Sequence, residues 1–303
     1  MKYNKRDKKG RFYKPEETSF YEPKQKTAKV EQKITLVNYI LDQSGSMQVQ
    51  LDSVINGFNE YVKTLDKNAK SNEVILFYLT LFNANFMGGI KIVRPYTYPV
   101  NIGRVNNLDK FVYSPSGMTP LYDAVGKTIE ELDEIITEKR LKISRVLTVI
   151  HTDGEENSSS EFNVHGIKSV IRQKENTGFW TFVYIGAAAS TWQDSNKIGL
   201  SHNNTIAYDP INTKGMFASA ARSTLNFMCS DKSSTDAFFS GGSLYKDGKE
   251  VKALKRHKHI SSDGYTRYEA VKWANGEWSC NCPGWAFNKK CKHIADSPSA
   301  IQK

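Results

Sequence analysis

The sequence predicts an α/β protein: a doubly wound, mainly parallel sheet, followed by a small ββα module near the C-terminal end. Apolar, β-branched runs alternate with stretches whose apolar residues recur every three or four positions. Such alternation of strands and amphipathic helices is typical of parallel sheets with helical crossovers. The small module is indicated by three cysteines and a histidine that cluster within 280–293.

The elements of the large domain follow one another in a regular order. The first predicted strand, "ITLVNYIL" at 34–41, is nearly all apolar, which indicates a strand buried on both faces. Further strands are predicted at 73–83, 91–96, 146–150, 179–187 and 204–209. Helices are predicted at 51–65, 121–136, 163–174, 191–198 and 215–228.

The loop after the first strand carries three oxygen-bearing side chains, Asp42, Ser44 and Ser46, in "LDQSGSM". In open α/β sheets, the loops at the carboxyl ends of the strands are where ligands bind. Carboxylate and hydroxyl oxygens are hard ligands, of the kind that Mg²⁺ takes in proteins. The alternative interpretation is that one of the serines caps the helix that follows.

Two other loops supply oxygens of the same kind. Thr119 in "GMTPLYDA" lies just before a predicted helix, and Asp153 in "HTDG" follows a predicted strand. Taken singly, Thr119 is explained by helix capping and Asp153 by an Asp-Gly turn. Together with the first loop they complete a candidate set of metal ligands: Asp42, Ser44, Ser46, Thr119 and Asp153.

These three loops resemble the metal-ion-dependent adhesion site of von Willebrand factor A (VWA) domains. The resemblance implies a VWA or Rossmann-like fold over 33–230 and a bound divalent cation, Mg²⁺ or else Mn²⁺ or Ca²⁺. It implies that the serines and the threonine contact the metal, while the aspartates act largely through bound waters. It also implies a vacant coordination position that accepts an acidic side chain from a partner protein.

Two further carboxylates, Glu155 and Glu156, follow Asp153 directly. We expect them to lie in a solvated loop. The alternative is that one of them turns inward, where it satisfies the metal itself or repels an acidic partner.

The C-terminal cluster consists of Cys280, Cys282, Cys291 and His293, with the spacing C-x-C, eight residues, C-x-H. Three thiolates and one imidazole form a complete tetrahedral set for structural zinc. A disulfide scheme leaves one of the three clustered cysteines unpaired. The cluster resembles SWIM-type zinc fingers over 268–296, a family associated with binding nucleic acids or proteins.

The residues around this cluster predict a hairpin, 268–273 and 277–279, and a short helix from Lys292. Trp285 and Phe287 lie among lysines in "GWAFNKKCKH". Aromatic side chains stack on bases while lysines contact phosphates, but the same two rings also suit the small core of the finger. The remaining cysteine, Cys229, is expected in the core of the large domain.

The net charge of +10 is concentrated at the two ends of the chain. The charge is +6 over 1–30, −2 over 31–245 and +6 over 246–303. The sequence therefore divides into a basic flexible arm at 1–32, the VWA-like domain at 33–230, a linker at 231–262 and the finger at 263–303. Charge runs are usually solvated, and contact of the basic ends with nucleic acid is the alternative.

No run of the sequence is long and apolar enough to span a bilayer, and the basic arm lacks the apolar core of a signal peptide. We therefore expect no membrane association and a cytoplasmic protein. The pairing of the two modules resembles VWA proteins of bacteria and their phages, which implies a bacterial or infected host cell.

The predicted function is that of a binding or adaptor protein, not an enzyme. Its adhesion site is expected to bind a partner protein, and its finger to bind nucleic acid or protein. One alternative is a nucleic-acid-binding protein in which the VWA domain is a scaffold. The other is a Mg²⁺-dependent phosphatase with Asp42 as nucleophile, which is disfavoured because Ser44 stands where that scheme needs a second carboxylate.

Overall fold

The computed structural model of the chain describes residues 32–69, 72–87, 89–153, 155–187, 191–208, 213–239, 244–246, 249–251, 253–260, 267–273, 276, 278–280 and 292–295. Residues 1–31 of the predicted basic arm lie outside the described residues. So do the predicted zinc ligands Cys282 and Cys291.

The centre of the protein is a seven-stranded sheet in the order β3-β2-β1-β5-β6-β7, with β4 paired to another part of β2. Its strands are β1 Lys33–Asp42, β2 Glu73–Ala84, β3 Ile90–Val93, β4 Val100–Asn101, β5 Arg145–Thr152, β6 Trp180–Gly186 and β7 Thr205–Ala207. Five strands are parallel, while β3 and β4 run antiparallel to β2. The predicted doubly wound, mainly parallel sheet is confirmed.

Helices cover both faces of this sheet. They are α1 Leu51–Asn68, α2 Leu121–Glu138, α3 Val164–Asn176, α4 Thr191–Lys197 and α5 Thr213–Cys229. Alternate residues of β1 serve two cores: Val37 and Tyr39 pack with residues of α1 and α5, and Leu36 and Ile40 pack with residues of α2 and α3. Both cores bury their strand side chains fully, which explains why β1 is apolar at nearly every position.

One prediction about the core is wrong. Cys229, the last residue of α5, is exposed, although Phe227 and Met228 before it are buried. The helical turn of about 100° per residue carries the next position away from the sheet after two buried neighbours.

The C-terminal part contains short antiparallel strands and one short helix. They are β8 Leu244–Lys246, β9 Lys249–Val251, β10 Ala253–Ile260, β11 Arg267–Trp273, β12 Trp278–Cys280 and α6 Lys292–Ala295. The strands β11 and β12 form the predicted hairpin, and β10 adds a third strand to it. Three of these strands lie within 231–262, the range predicted as a linker.

The predicted zinc site lies outside what the structure describes. Cys280 ends β12 and His293 lies in α6, but the described parts of these two residues do not include their side chains. Zinc ligation therefore stays a prediction. Within the described part of the chain, no helix has both the length and the apolar character needed to cross a bilayer.

Candidate metal centre

The first carboxylate of the candidate site is fixed at the carboxyl end of β1. Strands β1 and β5 are neighbours, so Asp42 and Thr152 end side by side. The Asp42 carboxylate is fully buried and accepts hydrogen bonds from the Ser44 N–H, at 2.6 Å, and from the Thr152 hydroxyl, at 2.5 Å. The two carboxylate oxygens therefore each have a hydrogen-bond partner.

The hydroxyls of the first loop point to the third loop. The Oγ atoms of Ser44 and Ser46 lie 3.1 Å apart, and the Ser46 hydroxyl donates to Asp153 Oδ1 at 2.7 Å. The structure thus brings together four of the five predicted side chains. Helix capping does not explain the serines: neither the short 3-10 helix Gly45–Gln50 nor α1 begins with a side-chain cap.

The fifth residue, Thr119, is buried just before α2 and is attached to the third loop. Its N–H donates to Asn157 Oδ1 at 2.8 Å, and its carbonyl accepts from the Asn157 N–H at 3.1 Å. Thr119 does not cap α2, because the first N–H groups of that helix bond to Glu156 and Ser159 instead. The structure places Thr119 beside the site through backbone contacts.

The two carboxylates that follow Asp153 have different positions. Glu155 is exposed, as expected for a solvated loop. Glu156 differs: its carboxylate accepts from Tyr122 N at 2.9 Å and from Ser159 N at 2.7 Å, so it caps α2 and folds its own loop. These bonds occupy both of its oxygens, which contradicts the alternative that Glu156 turns toward the metal.

Backbone hydrogen bonds hold the second loop against the first. Gly45 N donates to Gly117 O at 3.0 Å, and Met118 exchanges two bonds with Ala84 at the end of β2. Gly117 has φ +73°, and a Cβ there would lie 1.9 Å from the carbonyl oxygen of Ala84. Only glycine permits this conformation and this close approach. The Tyr113 hydroxyl also donates to Asp42 O at 2.8 Å from below the loop.

The electrostatics of the site favour a cation. Burial raises the pKa of Asp42 to about 7, although hydrogen bonds from Thr152 and Ser44 act in the opposite direction. The negative charge of Asp153 raises the pKa of Asp42 further. A divalent cation placed between two such carboxylates offsets their repulsion. Hydroxyl and carboxylate oxygens are the donors that a small hard cation takes, so these residues fit such an ion.

Sequence reasoning missed a set of buried polar residues behind the site. Gln50 bonds to Asp153, and Tyr208, His151 and Tyr39 continue the chain of hydrogen bonds into the core. Burial lowers the pKa of His151 to about 3, so the imidazole is neutral. The only local signal was the polar His151 at the end of an apolar strand, in "VIHTDG".

The chain matches no protein-family model and no curated protein. Similar solved structures include proximal thread matrix protein 1 from the mussel byssus, with 13% identity over 65% of this chain and 47% of that chain, and TM-score 0.49. The vWF domain of the type V pili tip protein Mfa5 from Porphyromonas gingivalis is 12% identical over 68% of this chain and 99% of that chain, with TM-score 0.48. Manganese-loaded TRAP protein from Plasmodium vivax is 17% identical over 62% of this chain and 72% of that chain, with TM-score 0.40.

The chain thus spans about half the length of the mussel protein. At such identities and TM-scores the likeness carries no argument about function. The α/β fold is established by the strand order of the chain itself.

Proposed function

We propose that the chain is a binding protein whose VWA-like domain holds a divalent cation, Mg²⁺ or else Mn²⁺ or Ca²⁺, and uses it to bind an acidic side chain of a partner protein. The observation that carries this proposal is the convergence of Asp42, Ser44, Ser46 and Asp153 at the carboxyl ends of β1 and β5. The second loop, with Thr119, is bonded to both neighbouring loops.

The residues of the site divide into two groups by their charge. The hydroxyls of Ser44, Ser46 and Thr119 would hold the cation, and Asp42 and Asp153 would orient its bound waters. Because three of the five oxygens are neutral, the cation keeps net positive charge and supplies an attractive position for an incoming carboxylate. Glu156 does not compete for that position, since α2 and its own loop occupy its oxygens.

Exposed apolar side chains on the same edge of the sheet support a protein as the partner. Val49, Phe86, Met87 and Phe111 expose 85%, 86%, 96% and 96% of their surfaces. Val49 belongs to the first loop, and Phe86 and Met87 follow the end of β2. Large apolar groups left in water around a polar centre are typical of protein contact sites.

Phe111 belongs to the same edge because of its neighbour in the chain. Lys110 pairs with Asp52 in the first turn of α1 at 2.8 Å, which holds this loop close to the start of that helix. We call the four exposed side chains, Val49, Phe86, Met87 and Phe111, the apolar rim. The partner that fits is a protein surface with an acidic side chain flanked by apolar residues.

The phosphatase alternative has less support. A nucleophilic carboxylate needs an oxygen that faces the substrate, whereas Asp42 is 0% exposed and both its oxygens accept hydrogen bonds. Ser44 stands where that chemistry needs an acid or base.

The nucleic-acid alternative concerns the C-terminal sheet. Lys272 lies with its Nζ 5.9 Å from the centre of the Trp278 ring, and the His257 ring lies 5.9 Å from the same ring. An aromatic ring beside a cationic side chain such as that of Lys272 is a common feature of single-strand binding surfaces. Binding of this kind would weaken with salt and survive Asp42→Ala.

The decisive experiment is capture of protein partners from lysate by the full chain. The protein is first dialysed against chelating resin and then supplied with zinc, either with Mg²⁺ or without it. We expect capture that needs Mg²⁺ and that Ser44→Ala and Thr119→Ala abolish. Ser169→Ala and Thr137→Ala are controls for the same chemical change, because both residues are exposed and lie within α3 and α2, outside the three loops. Capture that is independent of Mg²⁺ would contradict the proposal.

A further inference from the structure

We infer that a buried chain of four hydrogen bonds, from Tyr39 through His151, Tyr208 and Gln50 to Asp153, positions the third-loop carboxylate for the cation. This inference rests on the proposed function, because it assigns roles around the same metal site. The four residues behind Asp153 are called the relay. They are positioning residues, since each acts on the metal through Asp153 and not by direct contact.

The relay consists of short, enclosed contacts. Gln50 Nε2 donates to Asp153 Oδ2 at 2.8 Å, and the Tyr208 hydroxyl donates to Gln50 Oε1 at 2.8 Å. His151 Nε2 lies 2.9 Å from the Tyr208 hydroxyl, and His151 Nδ1 lies 3.1 Å from the Tyr39 hydroxyl. All four relay residues are less than 10% exposed, and Tyr39 and His151 are fully buried.

The chemistry of the groups gives the relay one direction. The Gln50 amide turns its NH₂ group to the Asp153 carboxylate, which accepts, and its oxygen to the Tyr208 hydroxyl, which donates. Because the Tyr208 hydroxyl donates its proton to Gln50, its oxygen accepts from His151 Nε2–H. A neutral imidazole has one donor and one acceptor, so Nδ1 accepts from Tyr39. Every group therefore donates toward the metal site.

This arrangement fixes the Asp153 carboxylate through residues outside its own loop. Asp153 is partly exposed and stands at the end of β5, beside Gly154. One of its oxygens accepts from Ser46 and the other from Gln50, so the carboxylate cannot rotate without breaking a bond. The relay begins on β1, crosses β5 at His151, and returns through Tyr208 after β7, which ties Asp153 to the centre of the sheet.

The relay is also unusual in its surroundings. Tyr39 lies among aromatic rings, with Phe58 at 5.3 Å and Phe77 at 6.1 Å between ring centres. Polar groups in such a core lose hydration and need hydrogen-bond partners, whereas apolar side chains would fill the space without that cost. Outer-shell partners that orient the groups around a bound metal typically change its affinity by about 10–100-fold, and Asp153 is such a group because it would orient the waters of the cation.

The test measures Mn²⁺ binding to the full, zinc-supplied chain by electron paramagnetic resonance, beside thermal unfolding without Mn²⁺. We expect Gln50→Leu to weaken Mn²⁺ binding by about tenfold or more and Tyr208→Phe by several-fold. Tyr61→Phe is the matched control: it also removes a buried hydroxyl, which is bonded to Thr224 at 3.0 Å and not to a relay residue, and it keeps the ring that packs 5.5 Å from the Tyr39 ring. Tyr61→Phe should destabilise the fold as much as Tyr208→Phe and leave Mn²⁺ affinity unchanged.

The outcomes separate the relay from the site itself. Suppose that the wild type binds Mn²⁺, that Ser44→Ala abolishes this binding, and that Tyr208→Phe binds as tightly as Tyr61→Phe. The positioning role of the relay is then refuted, while the proposed metal site is supported. If the wild type binds no Mn²⁺, the proposed function fails and the inference fails with it. If Gln50→Leu does not fold, Tyr208→Phe still tests the relay, because it removes a single oxygen atom and keeps the ring.

Discussion

Replacing Gly117 by alanine tests whether the second loop is held against the first by close backbone packing. Gly117 has φ +73°, where an alanine costs about 1–2 kcal/mol. The new Cβ would also lie 1.9 Å from Ala84 O, a backbone atom that cannot turn aside. The loop must therefore move, which strains the two bonds between Met118 and Ala84, each worth about 1 kcal/mol.

These contributions predict a loss of about 3–4 kcal/mol in the free energy of unfolding for Gly117→Ala. Gly178→Ala is the matched control, because Gly178 has φ +67° and nothing within 4 Å of an added Cβ. It should lose only the conformational part, about 1–2 kcal/mol. Urea unfolding measures both variants, and Mn²⁺ titration should show weaker binding for Gly117→Ala alone. Equal losses for the two variants would refute the close-packing argument.

Three other predictions concern separate parts of the protein. Burial, and then the charge of Asp236, raise the pKa of Glu175 to about 7, so its contribution to stability falls as the pH rises from about 4.5 to about 7. Glu175→Gln should therefore raise the free energy of unfolding at pH 8 and not at pH 4.5, by at most about 1 kcal/mol since the side chain is partly exposed; an equal gain at both pH values would contradict this. In the apolar rim, Phe86→Ser and Phe111→Ser should weaken partner capture and leave Mg²⁺ affinity unchanged. Each should change the free energy of unfolding by less than about 0.5 kcal/mol, because both side chains are exposed. Unaltered capture by the double variant would show that the rim is not part of the interface. Cys280→Ser should lower bound zinc, measured by mass spectrometry, from one per chain to none while Mn²⁺ affinity stays the same; zinc retained in full would exclude Cys280 as a ligand.

Local patterns were sufficient to predict most of the large domain. Buried parallel strands are apolar at nearly every position, and the apolar residues of amphipathic helices recur every 3.6 residues, so β1 and α1 were both identifiable within a short window. Strand direction has no such local signal. The strand predicted at 91–96 exists as β3, but its antiparallel pairing to β2 depends on the turn between them.

The first-loop residues of the candidate site form a local pattern in the sequence, whereas the residues of the relay do not. Asp42, Ser44 and Ser46 lie in one loop and form a recognisable spacing. Gln50 and Tyr208 are 158 residues apart, and their contact follows from the order of strands in the sheet. Only the folded chain brings them together.

The basic strand β10 was missed because its sequence contradicts the usual strand pattern. "ALKRHKHI" at 253–260 has few apolar residues, so its composition favoured a linker. Pairing with β11 supplies the backbone hydrogen bonds that composition does not indicate. The capping role of Glu156 was missed for a different reason, because its partner Tyr122 lies 34 residues earlier, in α2.

The measurement that most directly tests the central claim is a calorimetric titration of the metal-stripped, zinc-supplied chain with Mg²⁺. The account predicts one Mg²⁺ per chain, with binding abolished by Ser44→Ala and by Thr119→Ala and retained in Ser169→Ala. Thr119→Ala is the sharpest of these variants, because the hydrogen bonds that tie Thr119 to the neighbouring loop come from its backbone, which the substitution keeps. No Mg²⁺ binding by the wild type, or equal binding by Ser44→Ala, would contradict a metal site at these loops.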